Sequence, residues 1–235
     1  MPGIILIARR FCQKSMKTKE NKLLNLYKEL YKQYGPQGWW PLFCLRKVGI
    51  NPTKTGSING YHPRDYAYPK NSQQRFEICV GAILTQNTTW VNAEKALLAL
   101  QQKKLLSAGK ITSISVKILV NTIRPAGYYN QKARKLKTFS SYFLTLGRRV
   151  PRRDELLNIW GIGPETADSI LLYAYKQPEF VIDAYTRRIL SAQKLIKPKM
   201  DYEEIKNMLQ NNLPADYKIF QEFHALLVEH AKNSA

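Results

Sequence analysis

The chain has 235 residues, 44% of them apolar and 23% charged, which supports one or two ordinary cores and excludes fibrous and wholly disordered classes. Its 37 Lys+Arg against 17 Asp+Glu give a formal net charge of +20. This excess points to a polyanionic partner, nucleic acid first and an anionic membrane surface second. No apolar run approaches the ~20 residues that a membrane-spanning helix needs, so a soluble protein with no membrane partner is expected.

Residues 1–19 hold Arg9, Arg10, Lys14, Lys17 and Lys19 and no acid. They read equally as a transit-like segment, a frayed basic tail, or an upstream extension if translation starts at Met16. Cys12, Cys44 and Cys79 are odd in number and widely spaced, which suits neither a disulfide framework nor a thiolate metal site and implies a reducing compartment. That compartment is the cytoplasm, or an organelle or nucleus in a eukaryote. From Lys22 to Tyr34, leucine and tyrosine recur at three- and four-residue steps, which predicts an amphipathic helix stopped by Gly35-Pro36. Residues 49–71 read as a long loop. Further helices are predicted over Gln74–Leu84, Val91–Leu100, Val116–Ile123, Lys132–Leu146, Asp154–Ile159, Glu165–Tyr175, Tyr185–Leu195, Tyr202–Leu209 and Phe220–Lys232. Strand alternation is nearly absent, so the fold class is all-α.

The stretch Leu156-Leu157-Asn158-Ile159-Trp160-Gly161-Ile162-Gly163-Pro164-Glu165-Thr166-Ala167-Asp168 carries the most information. Gly161 and Gly163 bracket Ile162 between two helices, and Pro164 suits a first helical position because its missing N–H would be unpaired there. Without side chains at the glycines, a phosphate can reach unpaired N–H groups and the positive end of a helix dipole. The plainer reading is a tight helix-turn-helix corner. In a chain this basic the phosphate grip ranks above it, with Gly161, Ile162, Gly163, Glu165 and Thr166 as the phosphate-binding set and with affinity independent of DNA sequence.

Phe180-Val181-Ile182-Asp183-Ala184-Tyr185-Thr186-Arg187-Arg188 follows. With Phe76-Glu77 to Thr85-Gln86-Asn87 and Gly127-Tyr128-Tyr129-Asn130-Gln131-Lys132-Ala133, the hairpin and this segment resemble the helix-hairpin-helix DNA glycosylases of the endonuclease III superfamily. The likeness runs from about Phe76 to Leu227. It implies a two-lobed fold with a cleft: residues 20–71 plus 178–235 in one lobe, and 72–177, with the hairpin at about 154–175, in the other. Asp183 matches the catalytic aspartate. Read alone, it is an N-cap; both roles suit a carboxylate that stabilises a developing sugar cation or orients water.

Two departures shape the expected chemistry. The superfamily's lyase members carry a lysine two residues after the second glycine, where this chain has Glu165, and a carboxylate forms no Schiff base. A monofunctional enzyme that uses water is therefore expected. Many relatives also carry four C-terminal cysteines that bind an iron–sulfur cluster, and no cysteine follows Cys79. No cluster and no other cofactor or metal is expected. Lys232 falls near where the cluster loop would begin, and reads either as a polar tie for the last helix or as a solvated lysine. Trp160 stands where many relatives have proline.

Trp39-Trp40-Pro41 and Thr85-Gln86-Asn87-Thr88-Thr89-Trp90 resemble the 3-methyladenine DNA glycosylase branch. That resemblance implies a base pocket of Trp39, Trp40, Pro41 and Trp90, with Gln86 filling the gap left by a flipped nucleotide. An alkylated purine is cationic, so indoles attract it more than a neutral base. Core packing is the competing role for the tryptophans, and a local turn for Gln86. His224 and His230 make no metal motif and read as packing or surface residues, and Lys132 to Lys137 as a DNA-flanking or solvated basic face. The expected partner is double-stranded DNA containing damaged bases, bound by a monomer. The alternatives are a bifunctional pyrimidine glycosylase and AP lyase, and a non-catalytic DNA-binding module.

Overall fold

Side-chain caps fix where most helices begin. In the computed structural model, which describes residues 22–47, 51–53 and 59–234, Asn71 accepts the Gln74 N–H and starts α2 (Ser72–Leu84), ahead of the point its apolar spacing predicts. Thr89 caps α3 (Trp90–Gln102), Ser107 caps α4 (Ala108–Ser113) and Ser115 caps α5 (Val116–Ile123) in the same way. After α6 (Tyr129–Leu146) and α7 (Arg153–Leu157), helix α8 (Pro164–Ser169) runs on into a π-helical turn, Ile170–Ala174. Asp183 caps α9 (Ala184–Ala192), Asp201 caps α10 (Tyr202–Gln210) and Asp216 caps α11 (Tyr217–Asn233). The first helix, α1, covers 22–34. The basic stretch 1–19, with Cys12, lies outside the described residues.

The described residues hold no β-strand, and none of their helices is long and apolar enough to cross a membrane. The all-helical expectation holds. Helix α4 had escaped it, because six residues with Gly109 among them show no period; it forms because Ile111 is fully buried and α6 packs along it.

Helices α2 to α8 pack on one another through α2, α3 and α6, while α9 packs on α11. Helix α1 joins this second group through Tyr27, whose ring meets Phe223 edge-on at 5.6 Å, and through Tyr34, whose hydroxyl lies 3.0 Å from His230 Nδ1. One apolar cluster runs through both groups, from Leu23 and Leu30 through Phe76, Ile83 and Phe139 to Phe180 and Phe223.

Buried charges tie the elements that carry the hairpin. Asp168 on α8 is fully buried and accepts from Arg153 Nε at 2.7 Å, Tyr202 Oη at 2.8 Å and Lys206 Nζ at 2.8 Å, joining α7, α8 and α10. Arg153 also pairs with Glu203 and Lys206 with Glu179, so Asp168 is the buried centre of a network in which each cation has a second carboxylate. Lys132 is not on a solvated face as the basic run suggested: it is buried, and its ammonium donates to Leu84 O and Ala126 O at 2.8 Å each. Burial and the neighbouring Lys135 pull its pKa down to about 8. Arg134 stacks 4.1 Å over the Trp160 ring, and Lys137 donates to Thr112 O and Ile114 O. The four cations of this run therefore all have partners within the protein.

Candidate active site

The start of the loop before α2 is held by three ionisable side chains, two from helices and one from later in the loop. Glu222 on α11 accepts the Gln37 N–H at 2.5 Å, Glu77 on α2 accepts the Phe43 N–H at 2.8 Å, and His62 Nε2 reaches Trp40 O at 3.0 Å. These contacts bring Trp39 and Trp40 against Trp90 at the start of α3. The Trp39–Trp90 and Trp40–Trp90 ring centroids are 5.7 and 5.3 Å apart. Trp40 is only 5% exposed and also packs on Tyr173 at 5.5 Å, so it serves core and cavity wall together. The indole nitrogens of Trp39 and Trp90 are buried and find no acceptor among the described residues.

The three indoles form one wall of a cavity of about 790 Å³. Asp183, His224, Glu165 and Lys232 line it from α8, α9 and α11 and their starts. Pro41 is buried but is not part of the lining, which corrects its place in the expected pocket: the chain turns inward directly after Trp40.

Asp183 is held by its own role as a cap. Its Oδ1 accepts the Thr186 N–H at 2.7 Å, while Oδ2 lies 3.5 Å from Nε2 of His224. The side chain remains 16% exposed, so the carboxylate is reachable from the cavity. Burial opposes its charge, but the His224 imidazole and the Thr186 N–H outweigh burial and hold the carboxyl below its ordinary value. His224 Nδ1 lies 2.7 Å from the Tyr173 hydroxyl, and that tyrosine stands on the π-helical turn after α8. The other ring nitrogen, Nε2, is buried and faces Asp183. His224 is buried and packed on Tyr173, as the packing reading of its sequence position expects, and it also lines the cavity; no local signal marks that second placement, because Asp183 and Tyr173 reach it only through tertiary packing.

The hairpin stands beside this cavity. Gly161 has φ +84°, and a Cβ there would come within 2.5 Å of the Lys135 side chain. Gly163 caps α8 with no side-chain hydrogen bond, Pro164 follows at the first helical position, and a Cβ on Gly163 would meet nothing within 4 Å. Ile162 is 5% exposed and plugs the turn into the core. Thr166 is buried, and its hydroxyl accepts from Gln86 Nε2 at 2.9 Å. The turn itself is closed by the Ile162 N–H, which donates to Ile159 O at 3.0 Å, and α8 starts directly after it with no side-chain cap.

The placements of Gln86, Glu165 and Lys232 go beyond what the spacing implied. Gln86 is not a free side chain: its Nε2 also donates to Gly161 O at 3.0 Å and its Oε1 accepts from Lys135 Nζ at 2.5 Å, so it fastens the polar turn to the hairpin. Asn87, with φ +50°, and Thr88 line the cavity instead. Glu165 lines the cavity while remaining exposed to solvent, and partial desolvation together with the Asp183 charge raises its pKa. Lys232, read as either a helix tie or a solvated lysine, lines the cavity with its ammonium 5.9 Å from the Trp39 ring centroid. Burial lowers its pKa. No group of three or more His, Cys, Asp or Glu placed to hold a metal occurs among the described residues.

A helical fold with a glycine hairpin next to an aspartate that caps a helix defines a class, and the chain belongs to it: residues 80–215 match the HhH-GPD superfamily of base excision DNA repair proteins. A Methanocaldococcus jannaschii protein named as a DNA repair glycosylase is 40% identical over 228 residues, 91% of this chain and 90% of that one. Endonuclease III of Sulfolobus acidocaldarius is 28% identical over 169 residues, 68% and 73% of the two chains. Among solved structures, the H. pylori 3-methyladenine DNA glycosylase bound to 1,N6-ethenoadenine superposes with a TM-score of 0.60 at 28% identity, covering 70% of this chain and 90% of that one. An endonuclease III–DNA covalent intermediate superposes with a TM-score of 0.67 at 16% identity over 89% and 84% of the chains, a likeness of fold. The protein is a DNA glycosylase of base excision repair.

Proposed function

We propose that this glycosylase is monofunctional and hydrolyses the N-glycosidic bond of alkylated purines, 3-methyladenine among them, in double-stranded DNA. The observation that carries the reading is the cavity itself, with three indoles on one wall and Asp183 among the residues that close it. A purine flipped out of the helix would lie against the indoles, which attract a cationic ring, while its sugar faces the carboxylate. As the C1′–N bond breaks, the Asp183 charge stabilises the oxocarbenium-like sugar. An alkylated purine leaves as a neutral base, so little proton donation is required.

The hairpin N–H groups of Gly161, Gly163 and Thr166 would grip phosphate and position the duplex, while the Ile162 N–H closes the turn on Ile159 O at 3.0 Å. The similarity to the H. pylori 3-methyladenine glycosylase supports the substrate class. Glu165 at the lyase-lysine position supports hydrolysis by water, with no Schiff base, iron–sulfur cluster or metal taking part, in a protein that works as a monomer. A panel of single-lesion duplexes, each treated with alkali after incubation and in parallel with borohydride, tests the reading. Strand breaks at alkylpurines only after alkali, with no borohydride-trapped adduct, are expected; release of oxidised pyrimidines with trapping would overturn it in favour of a lyase.

A further inference from the structure

Hydrolysis leaves one proton without a destination. Water that attacks C1′ must lose it, and Asp183 is badly placed to take it: one oxygen is committed to the Thr186 N–H, the other faces His224, and its carboxyl is held acidic. From the position of Glu165 in the wall of the same cavity that Asp183 lines, at the hairpin end of α8, we infer that Glu165 is the general base that deprotonates the attacking water. Asp183 is thereby left to stabilise the sugar cation alone. This rests on the hydrolytic reading above.

The step balances without a further reactant. A water lone pair forms the C1′–O bond, the C1′–N pair leaves with the base, and one water proton passes to a Glu165 oxygen. The environment suits a base of this kind. Among the described residues no side-chain hydrogen bond or ion pair ties the Glu165 carboxylate, which is exposed to solvent where water can reach it, while the protein atoms crowded about it and the Asp183 charge raise its proton affinity above that of an ordinary glutamate. A cap-bound aspartate has the opposite setting, so the two carboxyls are pushed apart in acidity by their surroundings. The charged and titratable groups around Glu165 are Asp183, Tyr185 and Arg188 from α9 and its start, His224 and Lys232 from α11, and Tyr202 from α10. Glu165 must be ionised to act, so the rate rises with pH as its proton leaves.

The test uses single-turnover release from duplexes carrying 3-methyladenine, an etheno base, uracil or an oxidised pyrimidine, measured on whichever the wild-type protein releases fastest. Glu165→Gln is expected to bind an abasic-site-analogue duplex like wild type and keep its unfolding midpoint. Its release rate is expected to fall by about 10²-fold or more and to lose the rising acid limb. Glu165→Ala is expected to recover rate when formate is added, a response that a structural role would not give. An undiminished Glu165→Gln rate with an intact acid limb would overturn the assignment while leaving the hydrolytic reading in place. A trapped borohydride adduct on the wild-type protein would overturn the hydrolytic reading and the base with it, and so would a wild-type protein that releases no base from any duplex.

Discussion

Oδ2 of Asp183 lies 3.5 Å from Nε2 of His224, while Oδ1 accepts the Thr186 N–H at 2.7 Å. The same carboxylate therefore starts α9 and meets an imidazole whose other nitrogen is fixed by Tyr173. Asp183→Asn separates these roles. Asparagine caps helices as well as aspartate does, so α9 and DNA binding should persist, whereas loss of the charge should slow base release by about 10²-fold or more. Undiminished single-turnover release by this variant would remove Asp183 from the mechanism.

His224→Gln should move the acid limb of the rate profile to higher pH. Loss of the imidazole removes a partner that lowers the Asp183 pKa and also lowers that of Glu165, so both carboxyls hold their protons more tightly. The sign for stability follows from the same shift. An Asp183 carboxyl held below its ordinary value contributes stability above that value and loses it as pH falls through the folded-state pKa. Denaturant midpoints of wild type and His224→Gln should therefore differ at neutral pH and converge under acid. A rate profile unchanged by the substitution would make His224 a packing residue after all.

The two hairpin glycines should answer differently. Gly163 has open space where a side chain would go and an ordinary backbone, so Gly163→Leu should fold like wild type yet bind every duplex more weakly, since the group obstructed is phosphate. Gly161 combines φ +84° with a close Lys135 side chain, so Gly161→Ala should cost stability, on the order of 1–3 kcal/mol, before any effect on DNA. Thermal unfolding and filter binding at fixed salt separate the two. A Gly163 variant that lost affinity for lesion duplexes alone would contradict the phosphate assignment.

These contrasts follow how much of the site was legible in sequence. Gly161, Gly163, Pro164 and Asp183 could be read because each answers a local backbone need, a tight turn or a helix start, and such needs leave fixed spacings. The direction in which Glu165 points could not be read, since the second position of a helix faces outward or inward according to what packs beside it. Gln86 showed as a polar turn residue, but its partners Gly161 and Thr166 lie 75 and 80 residues away. His224 and Lys232 could be noticed but not placed, because their position in the wall depends on how α11 docks. Lys132 looked solvated because a buried ammonium is rare and is tolerated here only by two carbonyl oxygens at the ends of other elements.

The last prediction concerns how the indoles choose a base. Trp40 is a poor probe, since its ring packs on Tyr173 and against Gly81, and removing it would cost on the order of 3–5 kcal/mol of core packing. Trp39 already has the Lys232 ammonium 5.9 Å from its ring, so its face is shared with a cation of the protein. Trp90 is half-buried at the start of α3 and makes the cleanest test. A cation–π contact contributes ~0.5–2 kcal/mol, so Trp90→Leu should slow release of 3-methyladenine several-fold or more. Loss of stacking area would slow every base, and only the excess loss for a cationic base reports the ring's electrostatics. The measurement is therefore the ratio of two single-turnover rates within one variant, 3-methyladenine over neutral ethenoadenine, compared with the same ratio in wild type. A ratio that falls supports cation recognition; an unchanged ratio means that the indoles select by shape, and the preference for alkylated purines would then lie in the weakness of the bond being broken.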